Sequence, residues 1–399
     1  MIRNKTTVLL SVLFTMQGAI FTFLIFFVTI YIKSALQISI TMLSYIIFLI
    51  MLPYYLKILC GLAVDSFPYE KFGGKKFILV FFSLLEGIAW LFLSFLGEVL
   101  VFCLLMLVAV LCFSLVDAYM DAYIWSSVSK EKKGPAWGIS WAMKGIGASV
   151  FSAIAGYIIY TLGWKYIYYT LAIINLLMAI AGLFLHKATL ANVKHFSLQD
   201  LKEVFRWKCP YLAVAFFVLN WIPLGIGVWM YGPFVNSFLK IPIEYASLIS
   251  CLASVGNLLG SFMSVGIVSY FNNPWKTWKL TLMVYVASCL LLLANTGDVP
   301  LGLVTALIYG IGRGFIMGNG LSIGGELVVS SVKATMLALY SSSLYLGFSI
   351  GGLVSGQLVH IFGYHANFVI AALFMIPTSS LLIPLRRSKI AIKKENRKS

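Results

Sequence analysis

Apolar runs of about 20 residues recur along almost the whole chain, and each is long enough to cross a hydrocarbon layer of ~30 Å. Backbone groups in lipid must find hydrogen-bond partners within their own segment, so such runs are predicted to be helices. A membrane β-barrel would instead show segments of about ten residues of alternating polarity, and the sequence has no such series. We therefore expect an all-α integral membrane protein. Its twelve predicted spans cover 7–32, 40–64, 77–97, 99–127, 136–161, 164–186, 210–238, 244–270, 279–296, 299–329, 334–360 and 363–385.

Composition and the placement of charge support this class and exclude two others. With 61% hydrophobic and 11% charged residues, the chain could not remain in solution as a folded soluble protein. Its net charge of +16 would suit a nucleic-acid partner, but the basic residues concentrate in loops and tails on one side of the membrane. The only basic residues in the predicted turns on the other side are Lys33, Lys165 and Lys240. This bias predicts cytoplasmic termini, a cell-membrane location and no nucleic-acid partner.

A polar segment divides the spans into two sets of six, and the two sets share a sequence echo. A lysine and several glycines late in the first set recur 200 positions later, ending in the turns Gly163–Trp164 and Gly363–Tyr364. Such a series indicates duplication, and duplicated halves related by a pseudo-two-fold axis along the membrane normal are a transporter architecture. The polar segment is either a short amphipathic helix on the membrane surface or a plain linker. The predicted domains are an N-terminal six-helix bundle (1–186), a cytoplasmic linker (187–209), a C-terminal six-helix bundle (210–385) and a basic cytoplasmic tail (386–399).

The sequence LVDAYMDAYIW places two carboxylates inside an otherwise apolar span. Counted from the inner ends of their spans, four charged residues share a depth of roughly 12–14 Å. They are Lys57, Glu86, Asp121 and Lys144. Asp117 lies one helical turn deeper than Asp121, on the same face of its helix. An isolated charge at the membrane centre costs from about 2.5 to more than 10 kcal/mol, so this placement needs an explanation.

A layer of opposite charges lowers that cost, so we expect Asp121 to pair with Lys144 or Lys57 and one carboxylate to remain less well neutralised. Two interpretations are open at this point. The cluster is either a static ion-pair network that holds the first bundle together, or the lining of an aqueous cavity that binds solute or protons. In the second interpretation Asp117 is the candidate proton carrier.

The second half of the chain carries fewer charged candidates. Arg313, in YGIGRGFIMGNG, stays ionised and offers forked donors, so it is either an anion-binding residue or a partner of a helix carbonyl or acid. The seventh span, NWIPLGIGVWMYGPF, contains prolines and glycines that interrupt a regular helix, which suits a helix lining a cavity. Other polar and aromatic residues are candidates for solute contact or for ordinary packing. They are Asn257, Asn319, Trp221, Trp229 and Tyr231.

The sequence shows no arrangement for catalysis or metal binding. The six cysteines and four histidines have no metal-ligand spacing, and there is no phosphate-binding loop or nucleophile constellation. The glycine pattern of GIGRGFIMGNG lies inside a predicted membrane helix with no preceding strand, so it does not indicate nucleotide binding. We therefore expect no enzymatic activity, no cofactor and no metal.

The segment between the second and third spans, LPYYLKILCGLAVDSFPYEKFGGKK, resembles the signature loop of the major facilitator superfamily. The matching residues are Gly61, Asp65, Gly74, Lys75 and Lys76, with SFPYEKF as an insertion relative to the compact form. The resemblance implies two six-helix bundles and a gating loop in which Asp65 and its basic partners hold helices together in one state. Two branches are similar: the muropeptide permease and acetyl-coenzyme A transporter group, and the folate–biopterin transporters. Both imply large anionic or amphiphilic solutes that move with protons.

These features together predict a secondary active transporter that moves an organic anion by alternating access, as a proton-coupled symporter. Two alternatives remain: efflux or exchange of amphiphilic compounds by a carrier of the same superfamily, and an integral-membrane enzyme or lipid scramblase. The expected partners are a small-molecule solute, protons and membrane lipids. The expected oligomeric state is a monomer.

Overall fold

The computed structural model describes residues 4–66, 76–95, 98–127, 133–185, 205, 208–327 and 333–395, and all regular structure in these ranges is helical. Six helices form the first half. Helix α1 begins as Asn4–Thr22 and continues without a break through a π-helical turn at Phe23–Phe27, through Val28–Ile30, and through a second π-helical turn at Tyr31–Ala35. The others are α2 (Ile40–Ile50, Leu52–Tyr55 and Lys57–Ser66), α3 (Lys76–Leu93), α4 (Val99–Ser127), α5 (Lys133–Leu162) and α6 (Trp164–Leu183).

The second half repeats this pattern. Its first helices are α7 (Lys208–Trp229, Tyr231–Pro233 and a π-helical turn at Phe234–Phe238), α8 (Ile243–Phe271), α9 (Pro274–Leu291, with a 3-10 turn at Leu292–Ala294) and α10 (Val299–Leu327). The helical stretch Lys333–Ser379 is interrupted at Gly363, whose φ of 82° and ψ of 171° are not helical. This break separates α11 (333–362) from α12 (364–379). A further helix, α13, covers Leu382–Glu395.

The twelve predicted spans agree with α1 to α12 within a few residues at most ends. Within the described ranges, ten helical segments are long and apolar enough to cross a membrane. One of them, 339–388, contains both α11 and α12, and the apolar part of α2 counts as a shorter helix because α2 is interrupted. The predicted fold class, an all-α membrane protein with twelve membrane helices, is confirmed.

Two helix ends differ from the prediction for local reasons. Helix α9 begins at Pro274, five residues before the predicted start, because the Asn273 side chain caps it by accepting a hydrogen bond from the Lys276 amide at 3.1 Å. Helix α12 ends at Ser379 rather than at 385. Pro384 has no amide hydrogen to donate to the Ser380 carbonyl, so the helix turns before α13.

The two halves share the same backbone irregularities. Gly163 and Gly363 have positive φ angles of 94° and 82°, and no atom of the described residues lies within 4 Å of an added Cβ at either position. The backbone conformation, not packing, therefore requires glycine there. Gln37 and Lys240, which follow the π-helical turns of α1 and α7, have φ angles of 54° and 56°. These matches, 200 positions apart late in each half and 203 early in each half, support the duplication predicted from the sequence.

Each half packs through equivalent helix pairs. In the first half α1 packs on α5, and α3 packs on α4 and α6. In the second half α7 packs on α11, and α9 packs on α10. Between the halves, α5 packs along α8 and α2 packs along α11. The core is therefore divided into two bundles that meet along two equivalent seams.

The two seams use the same contact, a glycine against a serine. An added Cβ at Gly156 of α5 would lie 2.1 Å from Ser247 Oγ of α8, and one at Gly356 of α11 would lie 2.4 Å from Ser44 Oγ of α2. Such distances leave no room for a side chain at either glycine. We refer to these pairs as the glycine–serine seams.

The glycine–serine seams lie at the end of the molecule opposite the start of α1, which we call the outer end after the predicted orientation. Helices α1 and α7 meet at the same end, where the rings of Phe26 and Tyr231 have centroids 6.1 Å apart and Thr29 lies against Gly232. The two halves are thus sealed together at the outer end. Further toward the inner end, α2 and α11 still touch where the Ile58 amide donates to Ser342 Oγ at 3.1 Å.

Candidate functional site

A buried ion cluster joins α2, α4 and α5. Lys57 Nζ lies 2.6 Å from Asp117 Oδ2 and 2.6 Å from Asp121 Oδ2, and Lys144 donates to Asp117 Oδ1. Gln17 of α1, with its amide nitrogen turned toward the cluster, donates to Asp117 Oδ1 at 2.9 Å. The side chain of Asp117 is fully buried, whereas that of Asp121 is 27% exposed. Of the two predicted partners of Asp121, the structure shows Lys57, whereas Lys144 pairs with Asp117. Asp121, with a single lysine, is the less neutralised carboxylate.

Two local features place these side chains together. Asp117 and Asp121 are four residues apart on α4, so both project from one face of that helix. Helix α2 is interrupted at Leu56, whose φ of −85° and ψ of 24° are not helical, one turn after Pro53. Lys57 is the first residue after the interruption. The formal charges of the two lysines and two aspartates cancel, which lowers the cost of burying each of them.

Glu86 lies apart from the ion cluster, which corrects the prediction that it shares a charged layer with the lysines. It is buried where α3 packs on α6, and its Oε1 accepts a hydrogen bond from Trp90 Nε1 at 3.1 Å. Its Oε2 and the Oδ1 of Asn175 on α6 have no hydrogen-bond donor among the described residues. The two side chains interact, so one proton between these oxygens would satisfy both. Depth alone suggests the layer, but the face of α3 that carries Glu86 points away from α2 and α5.

Substitution of Glu86 tests this accounting. Glu86→Gln retains an acceptor for Trp90 and adds a donor for Asn175, so stability and transport are expected to remain close to those of the parent protein. Glu86→Ala leaves buried polar groups unpaired and opens a void, so the free energy of unfolding should fall by about 2–3 kcal/mol. Thermal unfolding of both purified variants in detergent checks the difference. A glutamine variant as unstable as the alanine variant would show that Glu86 needs a negative charge.

A cavity of about 420 Å³ lies between the two bundles, below the seal at the outer end. This volume falls in the range of pockets that hold metabolite-sized ligands. Side chains from both halves line it, and Lys144 is the member of the ion cluster that reaches its wall. The lining includes Phe21, Thr22, Phe26, Tyr54, Phe113, Trp141 and Lys144 from the first half, and Tyr231, Ser250, Ser254, Asn257, Ser261, Phe262, Arg313 and Ser322 from the second.

Arg313 is the cation that the second half contributes to this cavity. Its guanidinium lies over the ring of Tyr309, 5.7 Å from the centroid, and makes no hydrogen bond or ion pair with the described part of the chain. The structural alternative, in which a carbonyl or an acid of the protein pairs with Arg313, therefore has no support within those ranges. A partly buried planar cation with forked donors on a cavity wall is suited to bind a carboxylate or phosphate group.

Of the five further candidates for solute contact, the structure brings two to the cavity. Asn257 and Tyr231 line it. The other three are buried inside the second bundle, which corrects their assignment as solute contacts. Trp221 fills the space beside Gly320, Trp229 fills the space beside Gly352, and the Asn319 amide lies 2.9 Å from Thr281 Oγ1. All three side chains face neighbouring helices of the second half, so their role is to pack that bundle.

The predicted gating loop is only partly described. The side chain of Asp65, together with Gly74 and Lys75, lies outside the described residues. No described atom lies within 4 Å of a Cβ added at Gly61 of α2. Lys76 Nζ donates to the carbonyl of Leu183 at the end of α6 at 3.4 Å, where a cation is favoured by the helix dipole. The segment 186–204, which includes most of the predicted amphipathic helix, also lies outside the described residues.

Comparison with known proteins now decides the family. The model of the Major Facilitator Superfamily matches residues 9–328 and, in a second match, 222–399. The chain belongs to the major facilitator superfamily. Together the matches cover both bundles, the ion cluster and the cavity. Among curated proteins, no sequence matches the chain.

Solved structures share this fold over nearly the full chain. A point mutant of the nucleoside transporter NupG has a TM-score of 0.79 and 14% identity, covering 95% of this chain and 99% of its own. A bacterial homologue of the human lysosomal transporter Spinster, inward-facing and unoccupied, has a TM-score of 0.68 and 12% identity, covering 97% and 96%. A POT family transporter in complex with 5-aminolevulinic acid has a TM-score of 0.76 and 13% identity, covering 96% of each chain.

These comparisons establish a multi-pass membrane transporter rather than an enzyme. At 12–14% identity the structural likeness shows the fold alone, so it does not select a solute. Neither of the two branches suggested by the sequence is singled out by it. The solute class must therefore be argued from the residues that line the cavity.

Proposed function

We propose that this chain transports a small organic anion by alternating access, as a proton-coupled symporter in the cell membrane with both termini in the cytoplasm. The observation that carries the anionic preference is the charge of the cavity wall. Its described lining contains two basic residues, Lys144 and Arg313, and no carboxylate. A cavity between low-dielectric walls with this lining favours a negatively charged solute.

The ion cluster supports proton coupling because it connects directly to the solute cavity. Lys144 is bonded to Asp117 and also lines the cavity. A proton that neutralises one aspartate would weaken the hold of the cluster on its lysines, so Lys144 could turn its charge toward the solute. Asp121 is partly exposed, so it is the carboxylate of the cluster that a proton reaches most easily. It is connected to Lys144 by two intervening residues, Lys57 and then Asp117.

The arrangement of contacts between the bundles supports alternating access. The cavity is sealed at the outer end by α1 and α7 and by the glycine–serine seams, and its wall continues along α8 and α10 toward the inner end. Two compact bundles with a shared cavity can exchange which end is closed by rocking about that cavity. A POT family transporter of similar fold was solved in complex with 5-aminolevulinic acid, which is consistent with the proposal of a small organic acid as solute.

Reconstitution into liposomes tests the proposal. Liposomes that contain the purified protein are expected to accumulate one or more radiolabelled organic anions from a panel of carboxylates and organic phosphates. This accumulation requires that the external medium, from which the solute is taken up, is more acidic than the lumen. A protonophore that collapses the gradient should reduce accumulation at least tenfold, and Arg313→Gln should reduce it by a similar factor. Uptake confined to neutral or cationic solutes would overturn the anionic assignment, and uptake insensitive to the protonophore would overturn proton coupling.

A further inference from the structure

The two walls of the cavity occupy equivalent positions in the two halves but differ in chemistry. Helices α4 and α10 have bounds 200 positions apart, so Phe113 of α4 corresponds to Arg313 of α10. Helices α2 and α8 make their seams with serines 203 positions apart, so Tyr54 of α2 corresponds to Asn257 of α8. All four side chains line the cavity. An aromatic pair in one half therefore stands where the other half has a polar pair.

The wall of the first half is a compact aromatic surface. The ring of Tyr54 lies 5.6 Å from that of Phe21 and 5.5 Å from that of Phe113, and Phe21 and Phe113 are stacked at 6.3 Å with an interplanar angle of 13°. Aromatic side chains in such groups present apolar faces, and a further ring packed against them is stabilised beyond the area that it buries. We call Phe21, Tyr54 and Phe113 the aromatic wall.

The wall of the second half carries polar groups without partners. The Arg313 guanidinium and the Asn257 side chain make no hydrogen bond with the described part of the protein, and the hydroxyl of Tyr231, a residue that is 2% exposed, has none either. The rings of Tyr231 and Tyr309 lie 5.1 Å apart, and Arg313 lies over Tyr309, so Tyr231 and Arg313 are neighbours. Tyr231 is buried and Arg313 and Asn257 are partly buried, so a ligand that accepts from their donors replaces hydrogen bonds that the described protein does not supply. We call Arg313, Asn257 and Tyr231 the polar wall.

Charge balance indicates one negative charge on the solute. Lys57 and Lys144 are matched by Asp117 and Asp121, so the ion cluster is neutral as a unit. Arg313 is the charge on the cavity wall that no described carboxylate matches. A single anionic group at the polar wall would neutralise the site, whereas a second negative charge would have to draw Lys144 away from Asp117.

We propose that the solute is an aromatic monoanion, which binds with its carboxylate group on the polar wall and its ring against the aromatic wall. This inference rests on the proposed function and narrows its solute class. The cavity of about 420 Å³ limits the solute to metabolite size. The shared chemistry is a planar apolar ring joined to one anionic group.

Binding of matched probes to the purified, full-length protein tests the inference. The probes are 3-phenylpropionate and indole-3-acetate, with 3-phenylpropionamide and indole-3-acetamide as uncharged controls, hexanoate as an anion without a ring, and phenyl phosphate as an aromatic dianion. We expect at least one aromatic anion to bind, its amide to bind at least tenfold more weakly, and hexanoate to bind at least fivefold more weakly. Thermal stabilisation and isothermal titration calorimetry provide two independent readouts.

Two variants assign the two ends of the solute. Arg313→Gln should weaken binding of the aromatic anion at least tenfold, so that the affinity for the anion becomes close to the affinity for the amide. Phe113→Leu, which keeps an apolar side chain, should weaken the aromatic anion about fivefold and leave hexanoate unchanged. If Arg313→Gln affects amide and anion equally, or if Phe113→Leu affects hexanoate as much as the aromatic anion, the assignment of the walls is wrong.

Comparison with the liposome experiment separates this inference from the proposed function. Gradient-driven uptake of aliphatic anions, with no binding of any aromatic probe, would overturn the aromatic preference and leave anion symport standing. Binding and uptake of dianions in preference to monoanions would overturn the charge argument alone. The absence of uptake for every anion would overturn both.

Discussion

Asp117→Asn is expected to destabilise the protein and to abolish uptake driven by a pH gradient. Asp117 receives hydrogen bonds from Lys57 and Lys144 and is fully buried, so the substitution leaves two buried lysines with Asp121 as their remaining carboxylate. Removal of one partner from a buried ion pair costs about 3–5 kcal/mol. Loss of activity in this variant alone therefore does not separate a role in transport from a role in folding.

A charge-balanced double variant separates the two roles. Asp117→Asn combined with Lys144→Gln removes one negative and one positive charge, and the remaining Lys57 and Asp121 still pair at 2.6 Å. We expect this variant to regain most of the stability lost in Asp117→Asn, as measured by thermal unfolding in detergent. If the cluster couples protons to transport, gradient-driven accumulation of solute by the double variant should still be at least tenfold lower than that of the parent protein.

Counterflow provides the control for this experiment. Exchange of labelled for unlabelled solute across liposomes needs a working cavity but no pH gradient, so the double variant should retain part of it if only coupling is lost. Lys144→Gln alone measures how much of any defect comes from loss of that cation at the cavity wall. Recovery of gradient-driven accumulation together with stability would show that the four charges are a static network, which is the other interpretation of the sequence.

The sequence predicts the helices well because their length and apolar character are determined by the hydrocarbon layer of the membrane, not by contacts with neighbouring helices. Spans such as 99–127 are correct to the residue, and Gly163 and Gly363 predict equivalent turns that the backbone confirms with positive φ angles. The ion cluster is likewise predictable in part, because opposite charges at one depth lower each other's burial cost. This argument predicts a lysine partner for Asp121, either Lys144 or Lys57, and the structure shows that it is Lys57.

What the sequence does not predict is the direction in which each helix face points. Glu86 has the same depth as Lys57 but faces α6, and Trp221 and Trp229 fill space beside glycines of their own bundle. An apolar span has little amphipathic contrast between its faces, so periodicity does not show which side meets lipid, protein or cavity. The aromatic wall is not predicted for that reason. The correspondence of Phe113 with Arg313 is visible in the repeat of 200 positions and is the signal that points to it.

Gly156→Ala and Gly356→Ala are expected to impair transport about tenfold or more by preventing closure of the outer end. The added methyl groups would lie 2.1 Å from Ser247 Oγ and 2.4 Å from Ser44 Oγ. Rotation of the serine hydroxyl does not relieve these clashes, because the serine Cβ atoms also lie within 2.6 Å of the added methyl groups. Overpacking of this kind typically costs about 1–3 kcal/mol. The clash exists only when the bundles are in contact at this end, so the cost should shift the population toward a state in which the outer end is open.

Gly266→Ala is the matched control, because Gly266 lies on α8, the helix that carries Ser247, and no described atom lies within 4 Å of an added Cβ there. Its transport should equal that of the parent protein. The conformational shift is measured through Thr29→Cys at the outer seal, in a background without the native cysteines and with a membrane-impermeant maleimide. Labelling should increase in the Gly156→Ala and Gly356→Ala variants and stay unchanged in Gly266→Ala. Normal transport with both seam variants would mean that the outer end need not close as the structure shows it, and alternating access through these seams would have to be abandoned.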